Sequence, residues 1–281
     1  MINALSVDVE DWFQVSDFEE EVRFCQWDRY ESRVVANTRR LLSLFDEHNV
    51  RGTFFVLAWN AERFPELVRE IDAAGHEVAT HGYAHRLIYN QTPQEFRADI
   101  QRSLEILEAA TGKKVLGYRA PSFSITKQSI WALDTLLELG LRYDSSIFPL
   151  RDKLYGIADN YRFPYVVRRN GTGNLVEFPM STVRFLRTNL PVAGGAYFRL
   201  IPYPYFRWGL RRLNRQGRPG ILYLHPWEID PDQPRVTAKG KRGYSSHYLN
   251  LHRTEKKLSR LLGDFSFAPV ADVLTSVMGA A

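Results

Sequence analysis

Two imidazoles lie four residues apart in Thr80-His81-Gly82-Tyr83-Ala84-His85. That spacing lets His81 and His85 close on one cation from a single turn of backbone. It also arises from two solvated histidines on one helical turn, so the pair alone decides nothing. A second concentration of chemistry is Asp8-Val9-Glu10-Asp11-Trp12, after the apolar run Ala4–Val7. Three acids in four residues are costly inside a core, so this strand end opens on solvent or on a cation. Alternation puts Asp8 and Glu10 on one face, Val9 and Asp11 on the other. Arg119 follows Val115-Leu116-Gly117-Tyr118, and His225 follows Gly220-Ile221-Leu222-Tyr223-Leu224. Two imidazoles and one carboxylate suit a catalytic divalent metal with open positions, zinc first. A second carboxylate off the metal could act as base and a distant histidine as acid, the set a metal-assisted hydrolysis requires.

The elements that must position these groups alternate. Residues 31–48 carry a helical stripe of Val34, Val35, Thr38, Leu41, Leu42 and Phe45. Gly52–Leu57 reads as a buried strand. A helix from about Pro65 to Ala74 stops at Gly75, and a short strand then leads to His81. A third helix spans Pro93–Ala110 with Gly112 as its stop, a strand ends before Arg119, and residues 127–139 form a fourth helix before Leu141–Ser146. Strand and helix in alternation imply parallel strands with helices outside, as in a barrel or an open sheet. Residues just after different parallel strands then converge on one face. The middle, about 150–218, is irregular. Leu175–Pro179 could be a strand, and the aromatics Tyr197, Phe198, Tyr203, Tyr205, Phe206 and Trp208 read equally as packing or as a platform for sugar rings. Later come a basic loop, Val236–Tyr244, a helix from about Thr254 to Leu262, a last strand, Phe267–Val270, and a short tail.

The 281 residues fit one large domain, and 44% hydrophobic residues suffice for its core. The single cysteine, Cys25, excludes an internal disulfide framework and a cysteine-based zinc site. A net charge of +5 makes the surface mildly basic. This serves solubility, or attraction to an anionic polymer or membrane surface, with Arg211-Arg212-Leu213-Asn214-Arg215 and Lys239-Gly240-Lys241-Arg242 the nearest candidates. No nucleic-acid motif is present. The amino terminus lacks the pattern of a signal peptide, and no run reaches the roughly 18 apolar residues of a membrane span. A cytoplasmic location, or the cytoplasmic face of the inner membrane, is therefore expected. Oligomeric state is left open.

Taken together, Ser6-Val7-Asp8-Val9-Glu10-Asp11, Thr53-Phe54-Phe55-Val56, Gly75-His76-Glu77-Val78 leading to His81 and His85, Arg119-Ala120-Pro121 and Leu224-His225-Pro226 resemble, in order, the polysaccharide deacetylases of the NodB-homology group, carbohydrate esterase family 4. Gly194–Arg199, His225–Glu228 and Tyr248–Arg253 resemble the branch associated with exosortase-linked exopolysaccharide clusters. The resemblance implies an α/β fold, a distorted TIM-like (β/α) barrel of seven strands. It implies a single domain over 1–281, with core motifs at about 4–228 and a branch extension at about 229–281. It also implies metal-dependent removal of N-acetyl groups from N-acetylhexosamine units of a polysaccharide, in exopolysaccharide biosynthesis or modification. Asp8 matches the catalytic base, His225 the general acid and Arg119 the residue that holds the base. His81 and His85 match metal ligands. The commonest family pattern has adjacent aspartates, whereas Val9 follows Asp8 here. Glu10 is therefore taken as the third ligand, with Asp11 the other candidate. Ser122, Pro121 and Trp227 are expected around the substrate and its oxyanion, and Asp144 stands near the place of the acid that supports the catalytic histidine. The metal expected is Zn2+, with Co2+, Ni2+ or Mn2+ as alternatives. The rivals are an amidase of the same fold acting on peptidoglycan or a small cyclic ureide or imidate, and a non-catalytic sugar-binding protein. His48, His247 and His252 match no family position and read as surface or structural residues, with His247 or His252 the alternatives for the groove wall.

Overall fold

The computed structural model describes residues 1–152, 155–171, 173–236 and 243–279. Its strands are β1 (Ile2–Val9), β2 (Thr53–Val56), β3 (Glu77–Thr80), β4 (Gly117–Tyr118), β5 (Tyr143–Asp144), β6 (Tyr165–Asn170), β7 (Gly173–Glu177), β8 (Thr182–Phe185), β9 (Thr188–Pro191), β10 (Ile221–Leu224) and β11 (Ser266–Ala268). Its helices are α1 (Val34–Glu47), α2 (Ala58–Arg63), α3 (Pro65–Ala73), α4 (Pro93–Thr111), α5 (Ala132–Glu138), α6 (Gly195–Leu200), α7 (Tyr203–Arg215), α8 (Gly243–Tyr248), α9 (Leu251–Asp264) and α10 (Val270–Met278).

The sheet runs β10-β1-β2-β3-β4-β5-β7-β6, and every neighbouring pair from β10 to β7 is parallel. These are the parallel strands that the alternating sequence implies, in the number of seven that the family resemblance implies. β6 pairs antiparallel with β7 at the edge, β11 lies parallel to the start of β1, and β8 and β9 form a separate hairpin. The seam between β7 and β10 is covered by the segment around β8 and β9. Ser181 Oγ accepts from Ile221 N at 2.6 Å, Ala193 O accepts from Tyr223 N at 2.8 Å, and Gly194 bridges Tyr223. A side chain at Gly194 would lie 1.9 Å from Tyr223 O, so only glycine permits this contact.

The local causes are plain. α4 starts at a Thr92–Glu95 capping box with Pro93 in its first turn, and ends at Gly112 in the left-handed region. α1 buries Val34, Leu41, Leu44 and Phe45 against the sheet. One continuous core joins Leu5, Val7 and Phe54 with Leu210, Leu222 and Leu258.

The segments that the sequence left irregular hold two hairpins and two helices. The residues after the last strand form α10 rather than a loose tail. Lys239–Arg242 and most of the expected basic loop lie outside the described residues, and its last part is the start of α8. No described helix is long and apolar enough to cross a membrane.

Candidate active site

β1 ends by delivering Asp8 and Glu10 to the carboxyl edge of the sheet, while Val9 between them packs into the core. β3 is followed by the loop that carries His81 and His85. One contact and one backbone torsion shape this loop. Asp99 on α4 accepts from Tyr83 N at 2.9 Å, and His85 itself takes a left-handed φ of 51°. For a residue other than glycine that conformation is strained, and such strain concentrates at functional positions. The outcome is a buried set of Glu10, His81 and His85 whose donor atoms lie within 4.8 Å of one another.

Hydrogen bonding tests whether this set suits a cation. His81 Nδ1 lies 2.8 Å from the carbonyl of Arg119, which can only accept, so Nδ1 carries the proton. In the tautomer with its only proton on Nδ1, the ring turns a lone pair on Nε2 toward Glu10 Oε1 at 2.9 Å. His85 Nε2 faces the same oxygen at 3.0 Å without a hydrogen bond, as a buried, unpartnered atom. Lone pairs converging on one point repel unless a positive charge lies among them. A tetrahedral cation with bonds of about 2.1 Å sets its donors roughly 3.4 Å apart, so the residues fit such an ion.

Asp8 stands beside this set and off it. Arg119, fully buried after β4, donates from Nη1 to Asp8 Oδ1 at 2.5 Å and to Ser6 Oγ at 2.8 Å. Its Nε and Nη2 bond Ser145, and the guanidinium lies 4.1 Å from the Phe55 ring centre. The arginine thus has one orientation, and it fixes the Asp8 carboxylate as a charge-assisted acceptor.

His225 follows β10. Its Nε2 is 3.9 Å from Asp8 Oδ2 and 3.8 Å from Glu10 Oε1, outside hydrogen-bond reach of either. Its Nδ1 donates to Glu228 Oε1 at 2.7 Å, and Arg199 Nη1 bonds the other oxygen of Glu228. Burial would lower the His225 pKa, but Glu10, Glu228 and Asp8 raise it to about 9. Burial would raise Glu228, and Arg199 with His225 brings it down to about 2.

These groups open on a cavity of about 390 Å³, whose walls include Asp8, Glu10, Ser16, His85, Ser122, Tyr155, Tyr197, His225, Trp227 and His247. Ser122 has φ 49° and shares a 2.8 Å hydrogen bond with Ser16. Trp227 is stacked between His225 and His247, with ring centres 5.0 and 4.0 Å away.

Three expectations need correction. Asp11 is not at the cation set: its carboxylate accepts from Trp12 N, Ser32 Oγ, Arg33 N and Val34 N, capping the start of α1. Asp144 does not support His225, because it pairs with Glu177 across β5 and β7, and Glu228 takes the supporting place. Pro121 is buried and turns the chain without lining the cavity. Of the suggested aromatic platform, Tyr197 reaches the cavity, whereas Phe198 and Phe206 are core. His247 lines the cavity, while His48 bonds Ser259 and His252 touches Arg253. The Glu228 role was missed, although His225-Pro226-Trp227-Glu228 has the three-residue spacing of a capping box.

Comparison with known proteins agrees with this architecture. Residues 20–143 match the family described as Polysaccharide deacetylase, and residues 145–275 match Domain of unknown function (DUF3473). A peptidoglycan deacetylase of Helicobacter pylori is 27% identical over 165 residues, 59% of this chain and 51% of that protein. The chain thus spans about half the length of that curated relative. A Mycobacterium smegmatis structure assigned to the polysaccharide deacetylases superposes with TM-score 0.64 at 24% identity, covering 98% of this chain and 89% of that one. Puue allantoinase gives 0.66 at 15% identity, covering 100% and 92%. At such identities the structures speak for the fold alone. Residues 20–143 are thus a polysaccharide deacetylase domain of the NodB-homology type, carbohydrate esterase family 4, and the chain continues into DUF3473 over residues 145–275.

Proposed function

We propose that this protein is a metal-dependent N-deacetylase that hydrolyses the acetamido groups of N-acetylhexosamine units in a polysaccharide. The observation that carries the proposal is the placement of Asp8 and His225. They face each other across the edge of the Glu10–His81–His85 set, at the floor of one cavity. A pair of titratable groups in distinct environments beside a cation site is the arrangement amide hydrolysis requires.

Glu10, His81 and His85 would hold a divalent cation, zinc by the chemistry of the donors, and such an ion supplies Lewis acidity toward a carbonyl oxygen. Asp8, oriented by its charge-assisted hydrogen bond from Arg119, takes a proton from the attacking water. His225 gives its proton to the nitrogen that leaves, and the Glu228 carboxylate on Nδ1 favours the protonated ring. Glu228 and Arg199 hold the ring so that Nε2, not Nδ1, faces the reaction. Acetate and a free amino sugar are the products. An exopolysaccharide is the proposed polymer, on the strength of the Gly194–Arg199 and Tyr248–Arg253 motifs.

The test is acetate release from N-acetylglucosamine oligomers by protein of measured metal content. Asp8→Asn should lose at least about a thousandfold in kcat yet keep its metal. An active Asp8→Asn variant, or ring opening of a cyclic ureide with no acetate release, contradicts the proposal.

A further inference from the structure

The hairpin of β8 and β9 turns through two residues, Leu186 and Arg187, between the paired Phe185 and Thr188. Two-residue turns favour Asn-Gly or similar pairs, because a positive φ is needed. Here the residue at φ 51° is Leu186, and it is 85% exposed. Phe185 beside it is 55% exposed. A leucine gains nothing from that backbone position and nothing from contact with water, so the fold does not explain its presence.

The base of the hairpin is firmly anchored. Val183 and Val192 pack with Leu213 of α7, and Phe163 and Tyr205 pack against them. Around this base lies positive charge. Arg184 and Arg187 flank the two apolar tip residues. Arg212 on α7 stacks over Trp208, itself 40% exposed, at 5.9 Å. Arg162 is close enough that, after burial, repulsion from Arg184 and Arg212 lowers its pKa, and its Nη1 is buried without a partner. Among the described residues none of Arg162, Arg184, Arg187 or Arg212 forms an ion pair, whereas Arg207 on the same helix is paired with Asp264 at 2.9 Å. Mutually repelling arginines with no acid among them are a surface that lacks its counter-charge.

We propose that the β8–β9 hairpin tip and the arginine-rich side of α7 dock the protein on an anionic phospholipid bilayer, with Phe185, Leu186 and Trp208 entering the interface and Arg184, Arg187 and Arg212 meeting lipid phosphates. Charge complementarity selects the partner, and the apolar tip separates a bilayer from a soluble polyanion: a polysaccharide gives Leu186 nothing to enter. None of these residues lines the cavity at Asp8 and His225, so the inference does not rest on the proposed activity.

The experiment is co-sedimentation of the whole chain with vesicles of mixed phosphatidylglycerol and phosphatidylcholine, with pure phosphatidylcholine vesicles, and with soluble alginate. Wild type should bind the anionic vesicles, lose that binding in high salt and ignore the uncharged ones. Leu186→Asn is the informative variant. Asparagine tolerates a left-handed φ better than leucine, so the fold should melt at the same temperature or higher, while vesicle binding falls roughly tenfold. Arg184→Glu with Arg187→Glu should fall at least as far. Absence of vesicle binding by wild type, equal binding by the variants, or binding to alginate alone overturns the proposal.

Discussion

His225 is set by a relay of fixed charges, Arg199 to Glu228 to Nδ1, and the ring is backed by Trp227 and then by His247. His247 adds something of its own. The amide nitrogen of Gln233 gives both hydrogens to backbone carbonyls, Trp227 O at 2.8 Å and Asp230 O at 2.9 Å. Its oxygen therefore accepts from His247 Nε2 at 2.8 Å, and Nδ1 keeps a lone pair. Burial, aided by Arg199, lowers the His247 pKa to about 3, so the ring stays neutral at working pH. A neutral ring acceptor in the cavity wall suits a sugar hydroxyl. His247→Phe keeps the stack on Trp227 and removes the acceptor. KM for an N-acetylglucosamine oligomer should rise about three- to tenfold, the worth of one hydrogen bond, while turnover of 4-nitrophenyl acetate, which offers no hydroxyl, stays level. Equal losses on both substrates would show that the ring acts only through His225.

At the scale of elements, legibility followed the period of the sequence. α1, α3 and α4 were readable because each carries an apolar stripe, α3 and α4 with a glycine stop as well, and β2 and β10 because each is a short apolar run between turns. Parallel order then brought Asp8, His81, Arg119 and His225 to one edge. The β8–β9 hairpin was not readable, because its aromatic and arginine residues obey no clean period, whereas α7 had a helical one in Tyr203, Phe206, Leu210 and Leu213 that the surrounding aromatics and prolines obscured. Nor was the partner of Asp144, since pairing across β5 and β7 depends on register. In that register Asp144 and Glu177 lie side by side, fully buried. Burial, then the neighbouring Asp144, pushes Glu177 well above the carboxylate range, and burial raises Asp144 to about 6. The pair thus holds one proton, on Glu177. In the unfolded chain Glu177 ionises above about pH 4.5, so unfolding releases that proton and stability falls as pH rises from there toward the folded pKa. Glu177→Gln keeps the donor and has no proton to lose. Its melting temperature should gain steadily on wild type between about pH 5 and pH 8. Parallel melting curves would mean that Glu177 is ionised in the fold.

Across the whole molecule, the two family matches share one core, which contains Leu41 and Leu107 from the first and Leu210 and Leu258 from the second. The cation set is likewise distributed. Glu10 comes from the end of β1 and the imidazoles from the loop after β3, with β2 between. Unfolding separates them, so an ion that binds the set stabilises the whole chain. At a free concentration about a hundredfold above Kd the gain is about 2.7 kcal/mol. In a domain of this size that moves Tm by roughly 5–10 °C. Adding zinc to chelator-treated protein should raise Tm by that amount, and His85→Ala should abolish the rise. Asp11→Ala separates the two kinds of acid at the end of β1. Its carboxylate caps α1, and losing such a cap costs about 1 kcal/mol, or more here because it accepts four hydrogen bonds. Tm should therefore drop by a similar amount with and without zinc, leaving the metal-induced rise intact. If the rise disappears in Asp11→Ala while surviving in His85→Ala, the cation is held by other residues than Glu10, His81 and His85.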